Sequence, residues 1–307
     1  MHFYSEEQVR SAIKVDEVIA AIRAAFARAF DTVHMPVRTM LKMDEAVLLA
    51  MPCYDSALQV AGIKLVSVSK KTGVQAAYEL LDPQTGIALA RMEANYLTDA
   101  RTAATSAVAT DLLARGNAET LGIFGSGRQA IAHFAAIPHV RNFKRFLVCG
   151  SGRSELAPFC DKMKNDLGLN VAPAGAETLA RESDVICTCT TAHEPLFNGN
   201  WLRPGTHLNL VGAFQPEKRE VDDITMQRAY VVVDTYEGAL QEAGDLLIPI
   251  KNGIIDRSHI VADLYEIASG KKTARTSAEQ ITLFKSVGCA LEDLVTAQLI
   301  YRQADRK

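Results

Sequence analysis

The segment TLGIFGSGRQAIAHFAAI, residues 120–137, constrains this chain more than any other. It sets Gly125-x-Gly127-x-x-Ala130 between an apolar strand and an apolar helix. The first glycine permits a tight turn, the second lets backbone approach a pyrophosphate, and Ala130 is small enough for helix–strand contact. The helix that opens there offers unpaired N–H groups to phosphate. Ser126, Arg128 and Gln129 share this turn and count with Gly125, Gly127 and Ala130 as candidate cofactor contacts.

Downstream, RFLVC (145–149), SDVICTCT (183–190), THLNLVG (206–212) and AYVVVD (229–234) are short apolar runs separated by helical stretches or loops. That alternation predicts a parallel sheet of βαβ units, a doubly wound α/β fold of Rossmann type. A glycine turn in that context is a dinucleotide-binding fingerprint. The second strand leads into Gly150-Ser151-Gly152-Arg153-Ser154, with no acid where an NAD-specific site holds the ribose 2′-hydroxyl. Glu155 and Asp161 belong to the following helix. Ser151, Arg153 and Ser154 suit a 2′-phosphate instead, because guanidinium matches phosphate geometry. NADP(H) is therefore the favoured cofactor and NAD(H) the alternative.

The first third of the chain reads differently. Ser5 with Gln8 spells a capping box. Asp16 precedes a helix in which Val18, Ile19, Ile22, Phe26 and Phe30 share one face. VRTMLKM (37–43), AVLLAM (46–51) and LQVAGIKLVSV (58–68) read as strands. AAYELLDPQTGIALARM follows as a hairpin that turns at Asp82, Pro83 and Gly86. An Ala-rich helix from about Thr98 to Arg115 ends at Gly116-Asn117. VGCALEDLVTAQLIYRQADR forms a last amphipathic helix.

Composition excludes several classes. With 33 basic against 36 acidic residues, the chain has no cationic surplus for nucleic acid. No uncharged apolar run reaches the ~18 residues of a membrane span, and the first residues lack the apolar stretch of a secretory signal. A soluble, cytoplasmic protein is expected. Cys53, Cys149, Cys160, Cys187, Cys189 and Cys289 form neither a CxxC pair nor zinc spacing, so buried, reduced thiols and no metal are expected. Cys187 and Cys189 alternate and would share one side of a strand.

Several further segments resemble the ornithine cyclodeaminase/μ-crystallin family: PVRTML (36–41), GIKLVSV (62–68), DARTAATSAVAT (99–110), GIFGSGRQA (122–130), GTHLNLVGAFQPEKREVD (205–222) and TLFKSVG (282–288). The resemblance implies a substrate-binding and dimerisation domain of α+β type over 1–115, completed by about 288–307. A Rossmann domain over 116–287 lies between these parts in sequence. It implies a homodimer and a small imino- or amino-acid substrate. Arg38 and Lys64 resemble the contacts to substrate carboxylate and imine, with Lys64 the catalytic candidate. Arg101 resembles a second anion contact at the cofactor boundary. Thr102, Thr190, Val211, Gly212, Ala213 and Ser286 join the cofactor set on the same ground. A basic residue in an apolar strand is also costly unless paired, and a substrate carboxylate is one natural partner for Lys64.

Phe214 stands where the cyclodeaminase and alanine dehydrogenase branches carry an acid, so GAFxPxxREVD resembles the Δ1-pyrroline-2-carboxylate reductase branch more closely. Phenylalanine cannot shuttle protons between amines. The expected activity is NAD(P)H-dependent reduction of a small cyclic α-imino acid, with Phe214 against the ring. An ornithine-type ammonia-lyase, an alanine-type dehydrogenase and a non-enzymatic binding protein are the alternatives.

Overall fold

The computed structural model describes residues 1–28, 30–150 and 152–304. Ser151 and the side chains of Arg153 and Ser154, expected at the nucleotide, lie outside the described residues. The chain divides into two compact units, Met1–Thr105 with Gly288–Lys307, and Ser106–Val287. The division falls inside the Ala-rich helix, Asn95–Leu113, rather than after Arg115.

The strands of the first unit are β1 (His2–Tyr4), β2 (Val33–His34), β3 (Thr39–Lys42), β4 (Ala46–Asp55), β5 (Val60–Ser69), β6 (Gly73–Leu81) and β7 (Ala88–Glu93). They form a seven-stranded sheet in the order β1-β7-β6-β5-β4-β2, with β3 paired to β4. β1 runs parallel to β7 and the remaining pairs are antiparallel. Side chains of a strand alternate between faces. In β4 and β5 this buries Leu49, Met51, Cys53, Val60, Lys64 and Val66 together. The C-terminal helix, Ala290–Ala304, packs on these strands and on α1 (Glu6–Ala12) and α2 (Val15–Ala27).

The Ser5–Gln8 capping box starts α1 as expected. Asp16 does not precede α2 but sits in its first turn, where the helix dipole favours an acid. β1 is unmarked in the sequence, since three residues are too few to show a period.

α3 (Asn95–Leu113) leads through the division into the second unit. Its strands are β8 (Thr120–Phe124), β9 (Arg145–Cys149), β10 (Val171–Pro173), β11 (Val185–Thr188), β12 (His207–Leu210), β13 (Ala229–Val233), β14 (Ile260–Asp263) and β15 (Ile281–Lys285). All pair in parallel, in the order β10-β9-β8-β11-β12-β15-β13-β14. Strand order reverses between β8 and β11, and ligands of such sheets bind outside the carboxyl ends at that switch point. Leu208, Leu210, Val231 and Leu283 are fully buried in its core. The six cysteines are free thiols, and Cys189 lies beyond the end of β11 rather than on it.

Candidate functional site

In the first unit, three cations distant in sequence converge on residues 288–293. Lys64 lies on the buried face of β5 and is 1% exposed. Its Nζ donates to Asp293 Oδ1 at 2.7 Å, its one hydrogen bond among the described residues. Arg101, on α3, donates from Nη1 to Glu292 Oε2 at 2.6 Å and pairs through Nε with Asp293 Oδ1 at 3.0 Å. Arg38 donates from Nη2 to the Gly288 carbonyl at 2.9 Å.

Local chemistry explains why the two acids sit there. Glu292 and Asp293 occupy the first turn of the C-terminal helix, where the dipole stabilises carboxylates. The Cys289 backbone N–H donates to Glu292 Oε1 at 3.2 Å, the returning half of a capping box. Gly288 has φ +82°, and a Cβ there would strike the Arg101 guanidinium. Both backbone and packing therefore require glycine at this position.

The cluster brings Arg38, Lys64 and Arg101 together with Glu292 and Asp293. Burial pulls Lys64 down to about 8, assisted by repulsion from Arg101 and Arg38 and opposed by Asp293. Burial disfavours the charge on Arg101 too, but Asp293 and Glu292 outweigh it and raise its pKa. Tyr78, the cross-strand partner of Lys64, is fully buried. Neither its hydroxyl nor Asp293 Oδ2 has a hydrogen-bond partner among the described residues. The buried charge of Lys64 already has an internal carboxylate in Asp293, so burial alone does not require the substrate carboxylate as its partner. What calls for a ligand is the remainder: the unused donors of the Lys64 ammonium and the unpartnered Tyr78 hydroxyl.

In the second unit the glycine turn is built as the sequence predicts. Gly125 follows β8 with φ +108°, and a Cβ there would strike the Cys189 carbonyl beyond β11. The loops on either side of the switch point are thus in contact. Gly127 is the N-cap of α4 (Arg128–Ala136) and has no side-chain cap. A Cβ on Gly127 would meet nothing within 4 Å. Open space at the Gly127 Cβ position, at the start of a helix, leaves room for a pyrophosphate. Ala130 is fully buried, as close helix–strand packing requires.

Glu220 ties the neighbouring loops together, a role the sequence reading missed. Its Oε2 accepts from Thr188 Oγ1 (2.7 Å), Gly212 N (2.8 Å) and Ala213 N (3.3 Å). Its Oε1 accepts from Thr190 N (3.0 Å) and Thr190 Oγ1 (2.7 Å). Asp245 Oδ1 accepts the backbone N–H of Glu220 at 2.7 Å, and its Oδ2 pairs with the buried Lys285 Nζ at 2.9 Å. Burial raises the pKa of Glu220, and Lys285 counters it. The residues after β11 and β12 are therefore held by one carboxylate.

The expected site residues fall into these two groups. Arg38, Lys64 and Arg101 come together in the first unit, with Thr102 one residue beyond Arg101, its hydroxyl donating to the Thr98 carbonyl. Thr190, Val211, Gly212 and Ala213 lie at the carboxyl ends of β11 and β12. Ser286 follows β15 and donates to Asp234 Oδ2 at 3.0 Å. Phe214 is half-buried against the core of the second unit.

The whole sequence, residues 1–307, matches the model of the ornithine cyclodeaminase/mu-crystallin family. A Delta(1)-pyrroline-2-carboxylate reductase of Bacillus cereus is 36% identical over 311 residues, 98% of this chain and 95% of that one. The solved structure of Thermococcus litoralis Delta(1)-pyrroline-2-carboxylate reductase in complex with NADH and L-proline is 37% identical, with TM-score 0.96 over 100% of this chain and 98% of that one. An archaeal alanine dehydrogenase dimer with bound NAD is 30% identical, with TM-score 0.94 over 100% and 96% of the two chains.

Proposed function

Because the chain belongs to the ornithine cyclodeaminase/mu-crystallin family, we propose that it reduces the C=N bond of a small cyclic α-imino acid with a nicotinamide dinucleotide. The substrate is Δ1-pyrroline-2-carboxylate or its six-membered homologue, and the product is the cyclic amino acid. The similar enzymes of Bacillus cereus and Thermococcus litoralis support the reaction. One observation in this chain carries the reading: a buried ammonium, Lys64, with one of its donors used among the described residues, beside an unpartnered Tyr78 hydroxyl.

Arg38 clamps the substrate carboxylate. Arg101, held by Glu292 and Asp293, adds its field to the same anion. Lys64 donates a hydrogen bond or its proton to the imine nitrogen, so the carbon becomes the better electrophile. Phe214 offers no group to shuttle protons between amines, which suits reduction of a preformed imine rather than deamination. Gly125, Ser126, Gly127, Arg128, Gln129 and Ala130 hold the pyrophosphate. Thr190, Val211, Gly212, Ala213 and Ser286 line the nicotinamide end. When bound, the dinucleotide supplies the hydride that the imine carbon takes up.

NADP(H) is the proposed reductant on the sequence Ser151-Gly152-Arg153-Ser154, while the NADH and NAD of the solved relatives favour NAD(H). Arg153→Ala separates the two. If Arg153 binds a 2′-phosphate, the KM for NADPH rises ~10- to 150-fold and that for NADH stays. A homodimer and a cytoplasmic location belong to the same reading. On the sheet face opposite Lys64, Leu48, Pro52, Tyr54 and Ile63 are only half-buried and Leu65 is exposed. An open apolar face of this kind suits a second copy of the chain.

The deciding assay follows NADPH and NADH oxidation with pyrroline-2-carboxylate, with piperideine-2-carboxylate, and with pyruvate plus ammonia. Turnover of the cyclic imines should exceed that of pyruvate plus ammonia by ~10²-fold, about 2.7 kcal/mol of barrier. Ammonia release from ornithine without net cofactor turnover would overturn the proposal in favour of a lyase.

A further inference from the structure

We infer that Asp293 is a positioning residue for the reduction, its Oδ1 bridging Lys64 and Arg101 and holding the ammonium of Lys64 in place and in its charged form. The inference rests on the reading of Lys64 as the group at the imine nitrogen. Its basis is geometric. One carboxylate oxygen lies 2.7 Å from Lys64 Nζ and 3.0 Å from Arg101 Nε. All three side chains are nine-tenths or more buried, so no water replaces the carboxylate if it is lost.

The other cations around Lys64 work against its charge, its other neighbours are neutral, and the other carboxylates are engaged elsewhere. Arg101 from α3 and Arg38 from the segment before β3 repel it. Tyr78 from β6 and Cys53 from β4 carry no charge at neutral pH, because burial pushes the tyrosine well up and the thiol up to about 12. Asp55, also on β4, is paired with Arg28 at 2.8 Å. Glu292, beside Asp293 on the C-terminal helix, is engaged by Arg101 Nη1 and the Cys289 N–H. Among the described residues, Asp293 is thus the one carboxylate that pairs with Lys64. Its geometry does a second job: a lysine side chain has several freely rotating bonds, and an anchored oxygen on a helix fixes where its remaining N–H bonds point.

The test is a set of pH profiles of kcat/KM for imine reduction by the full-length enzyme. In the wild type the alkaline limb reports loss of the Lys64 proton. In Asp293→Asn that limb should move at least one pH unit toward acid, so that activity lost at pH 8 largely returns at pH 6. Asp293→Glu keeps the charge, and its limb should stay at the wild-type position while kcat falls about 10-fold from displaced geometry. Lys64→Met/Asp293→Asn should match Lys64→Met within about 3-fold, because the effect of Asp293 runs through Lys64 while Arg101 stays held by Glu292. If Asp293→Asn fails to fold, the double variant removes both charges, and it and Asp293→Glu carry the test.

A Lys64-dependent enzyme whose Asp293 variants keep the wild-type limb and kcat overturns the inference. So does multiplicative loss in the double variant. An enzyme that reduces the imine equally well as Lys64→Met instead overturns the reading of Lys64 itself.

Discussion

Each unit buries an ionic network, and the two are built to different ends. In the second unit Glu220 accepts five hydrogen bonds from Thr188, Thr190, Gly212 and Ala213, so both of its oxygens are used. In the first unit Lys64 uses one donor, and Asp293 Oδ2 and the Tyr78 hydroxyl have no partner among the described residues. Buried polar groups in folded proteins are almost always partnered. The Glu220 carboxylate, with both oxygens used, gives rigidity to the loops it holds, although Lys285 Nζ and Asp245 Oδ2 behind it have no hydrogen-bond partner among the described residues. The Lys64 ammonium, with donors unused and an unpartnered hydroxyl beside it, keeps capacity for a ligand.

The largest effect expected from breaking this contrast is on stability. Glu220→Ala leaves the backbone N–H groups of Thr190, Gly212 and Ala213 without their acceptor. At ~1–3 kcal/mol for each unsatisfied buried group, the loss should reach ~4 kcal/mol or more in denaturant unfolding. A loss under ~1 kcal/mol would mean these loops hold themselves without the carboxylate. Gly288→Ala ranks next. A residue with Cβ at φ +82° costs ~1–3 kcal/mol, and the methyl group also displaces the Arg101 guanidinium. The expected result is a lower Tm together with a raised KM for the imino acid, whereas the KM for the dinucleotide stays unchanged.

The smallest effect needs no substitution. Lys64 sits at about 8, below its usual value, because burial disfavours the ammonium. The charged form is present below that pH and lost above it. The kcat/KM for imine reduction should therefore fall with an alkaline limb near 8, approaching ~10-fold per pH unit beyond it. A profile flat to about pH 10 would remove Lys64 from the reaction.

Much of the second unit was legible because its signals are local. TLGIF and RFLVC coincide with β8 and β9, and the Gly125–Ala130 turn has the backbone its residues require. β10 was not legible, being a three-residue edge strand that ends in proline. In the first unit Lys64 stood out as a cation in an apolar strand. Its partner did not: Glu292 and Asp293 lie in an amphipathic helix, where acids ordinarily mark a solvated face. They are buried because that helix packs on β4 and β5 and both acids pair with cations distant in sequence. Glu220 was hidden for a related reason, since its partners are mostly backbone N–H groups of loops distant in sequence or on another strand, which no side-chain pattern records.

The central claim is that the cation cluster of the first unit exists for a ligand and the Glu220 network for the fold. It is tested most directly by measuring kcat and Tm together on Lys64→Met, with dinucleotide binding followed by fluorescence. Asp293 keeps Arg101 as a partner in this variant, so no buried charge is stranded. The account predicts kcat lower by ~10²-fold or more, the scale of a positioned acid–base group. Tm should stay within the few degrees that ~1 kcal/mol represents, and dinucleotide affinity should match the wild type. A variant that loses stability or dinucleotide affinity while retaining kcat would contradict it, and would make Lys64 part of the scaffold.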